Sequence, residues 1–294
     1  MSWGTPKDRD DEPKGGFKGL LRSILPGIPW AERAESKDTR TFEPPSGMVF
    51  RVHNSNGLTR ITGEDRDDIE VTMQKTARAE SPEAAEALLQ EIGLAVDDQG
   101  GRLSLDVEIP RRWNRRGTAN LCIKLPRRME VWVAAANGRI DIEGIRGLVR
   151  ARSTNGSAKV NDVVGDVEVA TTNAKVSCSC TFGKLLARSS NGKIEIEEHS
   201  GSVDASTSNG LIRASLDELG DDGVLLCTSN GRIVLDLPEE VDADVDIRVD
   251  NGVIRNDREL CQKGRESNGR MAGRLGAGGK SIKLRTSNGS VSLH

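Results

Sequence analysis

Between residues 137 and 289 the dipeptide Asn-Gly returns with a near-constant period, and a turn signal this regular commits the chain to stacking one short unit on the next. It stands at Asn137, Asn155, Asn191, Asn209, Asn230, Asn251, Asn268 and Asn288, while Asn173, followed by Ala174, fills the gap in the series. The first five asparagines are 18 residues apart and the later steps are 21, 21, 17 and 20, so the register tolerates small insertions.

Overlaying the four regular units shows which residue types recur. With Asn as position 1, position 4 holds Ile140, Ala158, Val176 and Ile194, and position 6 holds Ile142, Val160, Cys178 and Ile196. Position 13 holds Val149, Val167, Leu185 and Val203, and position 15 holds Ala151, Val169, Ala187 and Ala205. Charged residues such as Arg139, Asp141 and Glu143 alternate with them, so each unit reads as two short strands, each apolar on one face. Gly147, Gly165, Gly183 and Gly201 at position 11 mark a second turn.

Two architectures satisfy this pattern. Asn-Gly between alternating strands also signals a hairpin, so an antiparallel β-meander or sandwich competes with a parallel β-solenoid. A meander would leave a long apolar face needing a partner sheet, whereas a coil covers its first strand with its second. The small residues of position 15 suit a narrow interior, which favours the solenoid. In that arrangement the asparagines stack inside a ladder of side-chain amides, with Gly supplying a positive φ and the preceding Ser/Thr pairs, such as Ser153-Thr154, forming a second ladder.

The phrases TSNGLIRAS, SSNGKIEIE and TSNGRIVLDLP, with the earlier VFRVHNSNGLTRITG, resemble the bacterial "putative adhesin" domain of unknown function. The resemblance spans roughly residues 41 to 294. It implies a right-handed parallel β-solenoid and a role in adhesion, and it brings no catalytic or binding residues with it.

Composition narrows the function classes. The net charge of -3 favours neither nucleic acid nor a membrane as a whole-protein partner, so no nucleic acid is expected. Aromatic residues are scarce, four Trp, four Phe and no Tyr, and the distal half of the repeat offers no platform for sugar rings or bases. Five cysteines without paired spacing fit a reducing compartment, and the N-terminal segment has no apolar run of signal-peptide or membrane-span length. A cytoplasmic, non-enzymatic protein without cofactor or metal is the expectation, with an exported adhesin or ligand-binding module as the alternative and a polysaccharide-acting enzyme third.

The flanking segments set the domain plan. Residues 1–40 read as a tail containing a short amphipathic helix over 16–25, whose Phe17, Leu20, Leu21, Ile24 and Leu25 share a face. It could dock on the solenoid, and residues 16–30 could instead contact a membrane surface or a protein partner. Residues 41–294 read as one solenoid domain with regular coils over 131–294. Phe50 and Val52 precede Asn56 as Val131 and Val133 precede Asn137, which marks an early coil. A helical insertion follows at 81–93, with Ser81 as its N-cap and Pro82 in its first turn.

Few constellations suggest chemistry. Arg111, Arg112, Arg115 and Arg116, with Arg127 and Arg128 one strand later, form a candidate anion patch near Trp113 and Trp132, against the plainer reading of a solvated loop. GRLGAGGKS (273–281) lacks the first glycine of a phosphate-binding loop and leads into a strand. Cys178-x-Cys180 has no second ligand pair, and the scattered His53, His199 and His294 form no triad. The last strand, with Val291 and Leu293, ends at His294 before its coil is complete, which predicts an open edge and self-association through the C-terminal solenoid end.

Overall fold

The computed structural model describes residues 32–110, 116–261 and 269–294. Its N-terminal part holds β1 (Glu32–Phe42), β2 (Val49–Asn54), β3 (Thr59–Glu64), β4 (Ile69–Ala79), the helix α1 (Pro82–Glu91), β5 (Gly93–Gln99), β6 (Arg102–Glu108) and β7 (Gly117–Pro126). The repeats follow as β8 (Glu130–Ala135), β9 (Ile140–Ile145), β10 (Val149–Ser153), β11 (Ala158–Val164), β12 (Val167–Thr171), β13 (Val176–Ser189), β14 (Ile194–Asn209) and β15 (Ile212–Asn230). Then come β16 (Ile233–Asp236), β17 (Ala243–Asn256), β18 (Arg270–Leu275) and β19 (Lys280–Leu293).

Strands one repeat apart pair in parallel at the same repeat position. Ile140, Ala158, Val176 and Ile194 are successive partners along one sheet, and Val149, Val167, Leu185 and Val203 along the other. All eight are buried, so the interior is the predicted pair of apolar columns. This pairing excludes the meander, and the chain is a β-solenoid.

The two corners of a coil use glycine differently. At the second corner Gly165, Gly183 and Gly201 adopt φ of 141°, 124° and 144°, a conformation that favours glycine. At the Asn-Gly corner the expected positive φ is present at Gly57, Gly252 and Gly289, at 130°, 155° and 155°, and absent from Gly156 and Gly192. Glycine is favoured there by proximity, since a Cβ on Gly192 would lie 1.8 Å from the Ala174 carbonyl oxygen of the coil below, although Ala174 takes the same place in its own coil. The asparagines also sit at this corner in solvent and not within the stack as expected: Asn155, Asn173 and Asn191 are all exposed. The residue two places earlier points inward, and its hydroxyl donates to a glycine carbonyl of the neighbouring coil, as Thr207 does to Gly192 at 3.1 Å and Thr286 to Gly231 at 3.1 Å.

Stack order departs from chain order at both ends. β2 lies between β6 and β8, and β3 between β7 and β9, so the early coil around Asn56 is interior. At the far end β19 is inserted between β15–β16 and β17. The expected open C-terminal edge is therefore corrected: Val291 and Leu293 are fully buried, with Ile233 and Leu235 on one side and Ile254 and Asn256 on the other.

Antiparallel strands cap the ends. β5 pairs with β6, β4 with β7, β1 with β4, and β18 with β17. The helix α1 lays Leu88 and Leu89 on Ala77 and Ala34, and Ser81 caps it by accepting the Ala84 amide at 3.2 Å. β1 also moves the domain boundary, because residues 32–40, assigned to the tail, form most of it. Its alternating charges, including Arg33, Glu35 and Asp38, suit an edge strand that must resist further pairing and carry no apolar period to reveal it. The predicted helix over 16–25 lies outside the described residues.

Candidate functional site

The sheet built from β6, β2, β8, β10, β12 and the second halves of the later coils turns one face outward. Along it one unbroken column runs Ser104, Arg51, Trp132, Arg150, Glu168, Leu186, Asp204, Leu225, Lys283, Asp246, each paired with the next. Three clefts of about 600, 460 and 420 Å³ lie along this face, and Arg150 lines both of the first two. The opposite face is polar over the matching stretch. Its matching column of Arg60, Asp141, Lys159, Ser177, Glu195 and Arg213 alternates in charge and neutralises itself through pairs such as Arg60–Asp141 at 3.6 Å and Lys193–Glu195.

The largest of these three clefts is organised by Trp132. Arg51 and Arg150 hold the same position one coil before and one coil after it, so their guanidinium carbons stack over the indole at 4.1 and 4.5 Å from its centroid. Arg152 donates to Glu168 at 2.5 Å and Arg150 approaches the same carboxylate at 3.1 Å. The Arg152 hydrogen bond, above all, holds the Glu168 carboxyl below the usual carboxylate range. Arg51 has no ion pair among the described residues, and Arg51 Nε and Trp132 Nε1 are buried without a hydrogen-bond partner. Ala95, Val96 and Ala134 supply apolar wall, and His53, bonded to Asp106 at 2.8 Å, stands at the rim with Asp97. This cluster was missed in the sequence, although Arg51, Trp132 and Arg150 each precede a repeat asparagine by the same five residues.

The predicted sites are placed as follows. Asn137, Asn155, Asn173, Asn191, Asn209 and Asn230 form the ladder, which continues to Asn288 and ends at Asn251, out of chain order; Asn268 lies outside the described residues. Each amide donates in the same direction, at 2.9–3.1 Å, giving an aligned chain of dipoles. Arg111, Arg112 and Arg115 lie outside the described residues. Arg116 and Arg127 are not brought together, because the ten-residue strand β7 separates them by about 33 Å. Arg116 instead meets Glu80, and Arg127 meets Asp65 and Asp162.

Their surroundings disfavour the charged forms of Cys178, Cys180 and His199. Burial pushes the Cys178 thiol up to about 12, and a hydrogen bond to Glu198 at 3.0 Å, with lesser burial, raises Cys180. His199 is buried, its Nδ1 2.8 Å from the Thr181 hydroxyl, and desolvation lowers its pKa. Among the described residues no three His, Cys, Asp or Glu side chains gather at metal-binding distance. No helix among them is long and apolar enough to cross a membrane.

The family model described as Toastrack DUF4097 matches residues 48–294. A putative adhesin from Bacteroides fragilis is similar in structure with 10% identity and a TM-score of 0.45, covering 88% of this chain and 97% of that one. A putative cell adhesion protein from Clostridium sporogenes shares 10% identity with a TM-score of 0.32 over 88% and 99% of the two chains. A putative lipid binding protein from Parabacteroides distasonis shares 13% identity with a TM-score of 0.35 over 88% and 97%. No curated protein matches.

Proposed function

The chain belongs to the Toastrack DUF4097 family, and we propose that it is a non-enzymatic interaction module whose binding surface is the face carrying Trp132, Leu186 and Leu225. One observation carries this reading: a rigid ladder holds three clefts on one face, with Trp132, Leu186 and Leu225 in its central column, while the matching column of the other face is polar from Arg60 to Arg213. Partially exposed Leu148, Leu186 and Leu225 interrupt the polar residues of this face, a mixture typical of surfaces that meet a partner. The partner is a protein or a second copy of the chain, and residues 16–30 add a peripheral contact with a membrane surface. The five unpaired cysteines, one of them within the core, support a reducing, cytoplasmic setting over the exported adhesin.

Native pull-down with the full chain tests the reading. Leu186→Lys and Leu225→Lys are expected to abolish association with partners held by the wild type, and Ser177→Lys and Lys159→Glu on the opposite face to preserve it. Loss through the Ser177 and Lys159 changes alone would overturn it.

A further inference from the structure

The Trp132 cleft has an excess of donors. Both faces of the indole are occupied by Arg51 and Arg150, so the ring cannot stack on a ligand; its edge and the surrounding alkyl groups form a wall instead. Arg51 is half-buried and unpaired among the described residues, and its Nε and the indole N–H are buried with nothing to accept from them. Stranded donors in a largely apolar setting are destabilising, and such groups persist where something else satisfies them. Three arginines line the cleft with Asp97 and Asp106; Arg150 and Arg152 already share Glu168 and Asp106 is bonded to His53, which leaves Arg51 as the arginine of the cleft without a carboxylate partner among the described residues. Its volume of about 600 Å³ falls within the range of small-molecule sites.

We infer that the Trp132 cleft binds a small anionic amphiphile, with a single carboxylate or phosphate head at the Arg51 guanidinium and an apolar body along Val96 and Ala134. The inference rests on the reading of this face as the binding face. Charge complementarity selects the head, and the predominantly alkyl wall selects the body. Arg152, exposed at the rim, supplies a second cation that can exchange Glu168 for the ligand head.

Isothermal titration of the full chain with monomeric decanoate, decyl phosphate, decanol and decyltrimethylammonium tests it. The two anions are expected to bind one to one, at least tenfold more tightly than the alcohol or the cation. Arg51→Met should weaken decanoate binding at least tenfold, and Lys283→Met, on the same face but outside the cleft, should leave it unchanged. Decanol binding as tightly as decanoate, or Arg51→Met binding decanoate like the wild type, would overturn the inference. The head-group series on the wild-type chain decides the matter should the Arg51 variant fail to fold. Binding to phosphatidylglycerol vesicles without binding of monomeric decanoate would overturn it in favour of a membrane surface. If decanoate fails to bind while Leu186→Lys still abolishes partner association, the ligand class falls and the binding face stands.

Discussion

Asn288 donates its side-chain amide to Asn230 across 2.9 Å although 58 residues of chain separate them. That bond places the last coil inside the stack, so the final strand is held on both edges. Leu293→Ala should therefore cost about 2–5 kcal/mol, as expected for a fully buried leucine, with no change in oligomeric state. Denaturant unfolding with light scattering checks both; a near-neutral effect on stability would mean that the strand lies at an exposed end.

The Asn-Gly corner gives a ranking. Gly192→Ala forces a Cβ against the Ala174 carbonyl and should be the most damaging change. Thr207→Val leaves the Gly192 carbonyl without its hydroxyl and should cost about 1–3 kcal/mol. Asn191→Ala removes two amide bonds in solvent and should cost about 0.5–1.5 kcal/mol. Urea titrations of the three variants supply the order, and Asn191→Ala as the worst would contradict the placement of the ladder outside the core.

His199 gives the fold a pH dependence. Desolvation lowers its folded pKa, so the unfolded chain binds the extra proton more readily and stability is lost as pH falls below the unfolded value of about 6.5. The fall has a slope of up to about 1.4 kcal/mol per pH unit and levels off once the folded state also protonates. In His199→Gln the slope between about pH 5 and 6.5 should flatten, which thermal melts across that window will show. Glu168 and Glu195, whose folded pKa values are lowered, add a loss at more acidic pH.

Thiol labelling probes the core from another side. Cys122 and Cys261 are exposed and should react with iodoacetamide at pH 8, whereas Cys178, raised to about 12 by burial, should react only after unfolding. Peptide mapping by mass spectrometry distinguishes these cases.

The repeat was legible because its signals are local. A period of 18 residues, inward positions 4, 6, 13 and 15, and a glycine at each corner identify the coils, and Ser81-Pro82 identifies the helix. Stack order was not legible, because parallel strands carry equivalent apolar faces and nothing in Val291 or Leu293 says which neighbours they meet. The cap strand β1 was hidden for the opposite reason, having no buried face to impose a period. The Trp132 cleft was not legible because stacking gathers Arg51 and Arg150, 99 residues apart, through a shared repeat position and not through adjacency in sequence.

The assignment of function to one face is tested most directly by site-specific photo-crosslinking in the host cell. A crosslinker at Leu186 or Leu225 on the Trp132 face should capture a discrete partner or second copy, and one at Ser177 or Arg213 should capture none. Equal capture from both faces, or capture from Ser177 and Arg213 alone, would contradict the account.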